Sequence, residues 1–122
     1  MSYSLYKLIH LTGIFMVLVS LGGLTLYVAN GGVRAENSWR RQAALTHGIG
    51  LFLALLGGFG MLARLGIHWP WPTWLIVKLV VWLLLGAMVA LVYRKSELSK
   101  VWWWGTILLA LFAGFMALVK PI

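Results

Sequence analysis

Residues Trp74 to Tyr93 read WLIVKLVVWLLLGAMVALVY, an apolar run with one ionisable side chain, Lys78. A helix needs about 20 such residues, at about 1.5 Å rise each, to cross the roughly 30 Å hydrocarbon layer of a bilayer. This run meets that length without an Asp, a Glu or a Pro. Three more runs of the same kind fill most of the remaining chain: Ser4 to Val28, Ala43 to Leu65 and Val101 to Val119. None holds a carboxylate. Pro70 and Pro72 fall between the second and third runs and Pro121 after the fourth, so no proline interrupts a span. Asn30-Gly31-Gly32 closes the first run, because glycine accepts the positive φ of a helix C-terminus. Short connections make consecutive helices antiparallel neighbours. The pattern predicts an all-α integral membrane protein: one up-down-up-down bundle of four transmembrane helices, a single domain over residues 1–122. The first run lacks a basic start and exceeds the length of a secretory signal core, so it is expected to be a retained helix.

Composition agrees. Of 122 residues, 62% are hydrophobic, 14% aromatic and 10% charged. Soluble domains are about half apolar and about a quarter charged. A soluble globular protein, a disordered tail and a nucleic-acid-binding module are therefore excluded. The only carboxylates are Glu36 and Glu97, both in expected loops, which argues against acid–base catalysis by a carboxylate pair. Cysteine is absent, which removes disulfides, iron–sulfur clusters, thiolate zinc sites and thiol nucleophiles.

The net charge of +8 marks lipid headgroups and membrane orientation rather than DNA, because the basic residues cluster at the ends of the runs. Arg34, Arg40 and Arg41 follow the first run, and Arg94, Lys95 and Lys100 follow the third. Lys7, Arg64 and Lys120 belong to the other side. The excess predicts cytoplasmic first and third loops and both termini outside, in the periplasm if the membrane is a bacterial inner membrane. Trp69, Trp71 and Trp74 at one end, and Trp102, Trp103 and Trp104 at the other, read as aromatic belts in the two headgroup layers.

Ionisable residues inside spans are costly and usually face a partner or a cavity. His10, His47 and Lys78 are the candidates, whereas His68 falls in an outer loop. Measured from the span centres, His10 and Lys78 lie about 9 Å and about 7 Å outward, and His47 about 10 Å inward. The two histidines are then roughly 20 Å apart along the membrane normal, too far to sandwich one haem. His10 is the candidate metal ligand. Met61, on the same face as His47 but at the level of His10, is a candidate second axial ligand. No carboxylate lies in the span of Lys78, so an acidic group on a ligand, such as a propionate, is its expected complement. His47, Gly50, Ala54 and Gly58 share a helical stripe. Small residues at that spacing point first to close helix packing. The alternative is room for a flat ring, with Gly57, Gly58 and Gly60 beside His10.

Three segments carry a family resemblance. Tyr6-Lys7-Leu8-Ile9-His10 resembles the aromatic-Lys-x-x-His that opens the HemJ-type protoporphyrinogen oxidases. Trp74-Leu75-Ile76-Val77-Lys78-Leu79 resembles their Trp-Leu-x-x-Lys-Leu, and Val119-Lys120-Pro121 their chain end. Thr46-His47-Gly48 falls where the related SirB-like small membrane proteins place a His. The resemblance implies a four-helix membrane protein that binds haem b or a porphyrin, with a redox role and with His10 and Lys78 at functional positions. The family's Asn-Glu-x-Pro is replaced here by Trp103-Trp104-Gly105-Thr106. The alternative function is a non-catalytic accessory subunit of a larger membrane complex. The expected partners are membrane lipids, a porphyrin-like ligand, and further copies of the chain or other subunits, with no nucleic acid.

Overall fold

The computed structural model describes residues 2–119, which form four long helices and no strand. Helix α1 spans Tyr3–Ala29, α2 Arg40–Leu65, α3 Thr73–Arg94 and α4 Ser99–Val119. All four are long and apolar enough to cross a membrane. Single 3₁₀ turns at Arg34–Glu36 and Ser96–Leu98 occupy the first and third connections. Lys120 and Pro121, part of the segment that resembles the family's chain end, lie outside the described residues.

Local chemistry sets the helix ends. The Ser2 hydroxyl accepts from Leu5 N–H at 3.2 Å and caps α1. Gly31 (φ 87°) and Gly66 (φ 72°) take the left-handed conformation that lets the chain leave α1 and α2. Helix α2 begins at Arg40, about one turn before the apolar run at Ala43. The side-chain oxygen of Asn37 accepts from Trp39 N–H at 3.0 Å, and its carbonyl accepts from Arg40 N–H at 3.1 Å. That turn starts the helix in a basic stretch whose charge is unfavourable at a helix N-terminus.

Contacts between consecutive helices run in opposite order along each pair. Between α1 and α2, Tyr6 meets Gly60, His10 meets Gly57 and Gly13 meets Gly50 and Ala54. Between α2 and α3, His47 meets Leu85 and Leu51 meets Trp82. Between α3 and α4, Met88 meets Thr106, and Lys95, the residue just after α3, meets Trp102.

The tightest contact is α1 on α2. A Cβ on Gly13 would strike the backbone of Gly50, Leu53 and Ala54, and one on Gly57 would strike the backbone of Tyr6 and His10. The two helices therefore touch main chain to main chain, as small residues permit in membrane bundles. The buried stripe on α2 runs His47, Gly50, Ala54, Gly57. It continues through Gly57, where the sequence pattern had suggested Gly58.

Two apolar clusters complete the core. Val17, Leu21 and Met88 form one, and Leu24, Val28 and Val92 the other, with Trp102 packed against both. Trp102 thus belongs to the core, whereas Trp103 and Trp104 are exposed as an aromatic belt requires. Three successive tryptophans on a helix point about 100° apart, so only one of them can face inward.

Replacing Gly13 or Gly57 by Val should destabilise the bundle by about 1–3 kcal/mol, the usual penalty of overpacking. Gly105→Ala and Gly114→Ala should be neutral or stabilising by up to about 1 kcal/mol, because a Cβ there meets nothing. Thermal unfolding of the detergent-solubilised variants would measure the difference, and equal midpoints in the two sets would refute the packing account.

Candidate functional site

His10 lies on α1, three residues before Gly13, and is half-buried. The close α1–α2 contact brings its ring to the main chain of α2, where Nδ1 is 2.6 Å from the Ala54 carbonyl oxygen. A carbonyl only accepts, so Nδ1 carries the proton and donates. In the neutral ring Nε2 then keeps its lone pair. Histidine ligands of metals are typically oriented this way, with the other ring N–H held by a carbonyl or carboxylate. Donation to a carbonyl is also how a histidine with no ligand role is satisfied.

His47 is 5% exposed and faces α3. Its Nε2 donates to the Leu85 carbonyl at 3.0 Å, so its unprotonated nitrogen is Nδ1. Trp82 answers from the opposite direction, its Nε1–H donating to the Leu51 carbonyl at 3.0 Å. Trp82 stands near the middle of α3, away from both tryptophan clusters. No pattern could have identified its acceptor, because every residue carries a carbonyl.

These pairings fix the levels of the candidate residues. Gly57, against which the His10 backbone packs, is about 15 Å along α2 from His47. The histidines are well separated, by somewhat less than span centres alone suggest. Continuing the Leu51–Trp82 pairing by one turn sets Lys78 opposite Leu55, the neighbour of Ala54. His10 and half-buried Lys78 thus share a level. Met61 is half-buried about 6 Å along α2 beyond Gly57, in the turn that faces Tyr6. His68 is exposed after α2.

The space expected for a ring beside His10 is largely filled. The α1 backbone occupies the face of Gly57, and the Tyr6 ring covers Gly60. Only Gly58 would take a methyl in ordinary contact, 3.5 Å from His10 Nδ1. A macrocycle does not fit between α1 and α2. Nε2 of His10 and, on α3, the Lys78 side chain stand at this level. No cluster of three or more potential metal-ligating His, Cys, Asp or Glu side chains occurs among the described residues.

Two grooves lie away from this level. One, of about 280 Å³, runs between α1 and α4 over Leu18, Gly22, Thr25 and Thr106. The other, of about 460 Å³, lies where α1, the first connection and the start of α2 meet. That end is cross-tied. The Tyr27 hydroxyl donates to the Val33 carbonyl at 2.8 Å, the Asn37 amide to the Tyr93 hydroxyl at 3.0 Å, and Trp102 Nε1–H to the Lys95 carbonyl at 2.9 Å. Both basic connections are therefore at the same end of the molecule.

Comparison with known proteins returned no matching family model, no matching curated protein and no matching solved structure.

Trp82→Phe removes one interhelical hydrogen bond without emptying the site. It should cost about 0.6 kcal/mol, the mean for such bonds in membrane helices, with about 1.7 as the upper limit. Unfolding in mixed micelles would test this, and a stabilised variant would show that the α2–α3 bond contributes nothing.

Proposed function

We propose that the chain is an integral membrane protein of the HemJ/SirB-like kind that binds haem b or a related porphyrin at the level shared by His10 and Lys78. Its four helices cross the bilayer up-down-up-down, in a bacterial inner membrane, with the basic connections in the cytoplasm and both termini in the periplasm. Four span-length apolar helices, short connections and the opposite order of contacts in each consecutive pair support that topology. The grouping of Arg34, Arg40, Arg41, Arg94, Lys95 and Lys100 at one end supports the orientation.

One observation carries the ligand reading: the Nδ1–H of His10 is held by the Ala54 carbonyl at 2.6 Å, which fixes the ring and leaves the lone pair on Nε2. Nε2 would hold the iron, and the Lys78 ammonium would attract a propionate from α3. Bound haem would supply one-electron transfer. His47 would keep its bond to Leu85 and act in the α2–α3 contact rather than as a second axial ligand.

A second reading, a non-catalytic subunit that packs in a larger membrane complex, is favoured by the filled faces of Gly57 and Gly60. The two readings part on one experiment. Wild-type protein purified in detergent and supplied with haem should show a Soret band, with α and β bands on reduction. His10→Ala should abolish it, and Lys78→Met should weaken haem binding about tenfold, equivalent to about 1.4 kcal/mol. A colourless wild type, or a full spectrum from His10→Ala, would favour the subunit reading.

Orientation has its own check. A reporter fused to the C-terminus should be active when it requires the periplasm, and activity only for a cytoplasmic reporter would reverse the topology.

A further inference from the structure

Residues 20–25 of α1 read Ser-Leu-Gly-Gly-Leu-Thr. Glycine weakens a helix interior, because without a Cβ its φ and ψ are little restricted. Elsewhere in the bundle such glycines are pinned: Gly13, Gly50 and Gly57 each meet the backbone of the facing helix. A Cβ on Gly22 or Gly23 would meet nothing within 4 Å, so no close packing calls for a glycine at either position. Among the described residues they are the one consecutive pair of open glycines inside a helix. Both flanks add to this. The Ser20 hydroxyl donates to the Val17 carbonyl at 2.9 Å, and the Thr25 hydroxyl to the Leu21 carbonyl at 2.6 Å. Side chains that bond back in this way compete for the carbonyls of the helix ladder and favour bending. Thr12 makes the same kind of bond to Leu8 at 2.8 Å, but its neighbour Gly13 is pinned by α2.

The glycine pair also has room beside it. Gly22 lines the groove of about 280 Å³ against α4, and Gly23 the groove of about 460 Å³ against the first connection and the start of α2. The segments on its two sides are held by different partners. Outward, Tyr6, His10 and Gly13 rest on α2. Inward, Leu24 and Val28 pack with Val92 of α3, and the Tyr27 hydroxyl is tied to the Val33 carbonyl.

We propose that α1 carries a hinge at Gly22–Gly23, about which its inner segment, with the first connection, bends relative to the outer segment fixed on α2. The bend trades volume between the two grooves, narrowing one as it widens the other. It belongs to the collective helix motions of roughly microseconds to milliseconds. The hinge goes beyond the haem reading and does not depend on it, since its test needs neither a ligand nor the His10 and Lys78 side chains.

Spin labels on introduced cysteines test it, because no native cysteine competes. Leu11→Cys and Leu26→Cys place labels at exposed positions on either side of the pair, 15 residues or about 22 Å apart along a straight helix. Ile76→Cys and Leu91→Cys place a reference pair at the same spacing on α3, also at exposed positions. Pulsed electron resonance on the detergent-purified, ligand-free protein should give a broad α1 distribution with a component shorter than the straight-helix distance, and a narrow α3 distribution. Gly22→Ala with Gly23→Ala, which has open space to enter, should narrow the α1 distribution to that of the reference. Each alanine should also slow amide hydrogen exchange at residues 23–27 about fivefold, the equivalent of the helix preference of alanine over glycine. Gly114→Ala fills an equally open position on α4 and should leave both α1 readouts unchanged. A wild-type α1 distribution as narrow as that of α3, a breadth that survives the double alanine variant, or the same narrowing from Gly114→Ala overturns the hinge. None of these results bears on haem binding, which the spectra of wild type and His10→Ala decide separately.

Discussion

The main-chain contact between α1 and α2 is the constraint on which the other features of the site depend. It exists because positions 13, 50 and 57 carry no side chain, so each backbone enters the other's surface. Within a bilayer there is little hydrophobic drive between helices, and association relies on such packing and on interhelical hydrogen bonds. The close approach also brings the Ala54 carbonyl within reach of His10. A side chain at Gly57 would push the His10 backbone away, so the glycines position the histidine as well as join the helices.

Polar side chains continue that pattern across the bundle. His10 links α1 to α2, and His47 and Trp82 link α2 and α3 in both directions. Every buried side-chain nitrogen and oxygen among the described residues has a hydrogen-bond partner. Groups that would be expensive in hydrocarbon are thereby neutralised by main-chain acceptors. Helix α4 is held differently, by Trp102 in the apolar clusters and by the weak contact of the Thr106 hydroxyl with the Met88 sulfur at 3.8 Å. Its apolar outer face, from Leu108 through Leu111 to Leu118, is exposed, as suits a helix facing lipid.

Much of the fold was legible because span length and apolarity are local properties of a sequence. The runs from Ser4, Ala43, Trp74 and Val101 each became a helix, extended by a turn or less where polar residues complete the ends. Rotation was less legible. From Ala54 the next inward residue may be three or four positions on, and the sequence pattern does not distinguish Gly57 from Gly58. For the same reason the Trp102–Trp104 triplet did not reveal which ring turns inward. The shared level of His10 and Lys78 followed from helix rise alone. The hydrogen-bond acceptors did not, since the carbonyls of Ala54, Leu51 and Leu85 have no signature in residue type. The groove over Gly23 was equally hidden, because a glycine that packs and one that leaves space look alike in sequence.

The central claim is that each buried-face histidine is fixed by a carbonyl on the next helix, and that the two present opposite ring nitrogens. Nitrogen NMR on histidine-labelled protein, assigned with His10→Gln and His47→Gln, addresses this directly at a pH where both rings are neutral. The account predicts a hydrogen-bonded Nδ1–H tautomer for His10 and a hydrogen-bonded Nε2–H tautomer for His47. An Nε2–H tautomer at His10, with Nδ1 unprotonated, would contradict the helix register and remove the nitrogen on which the proposed ligand depends.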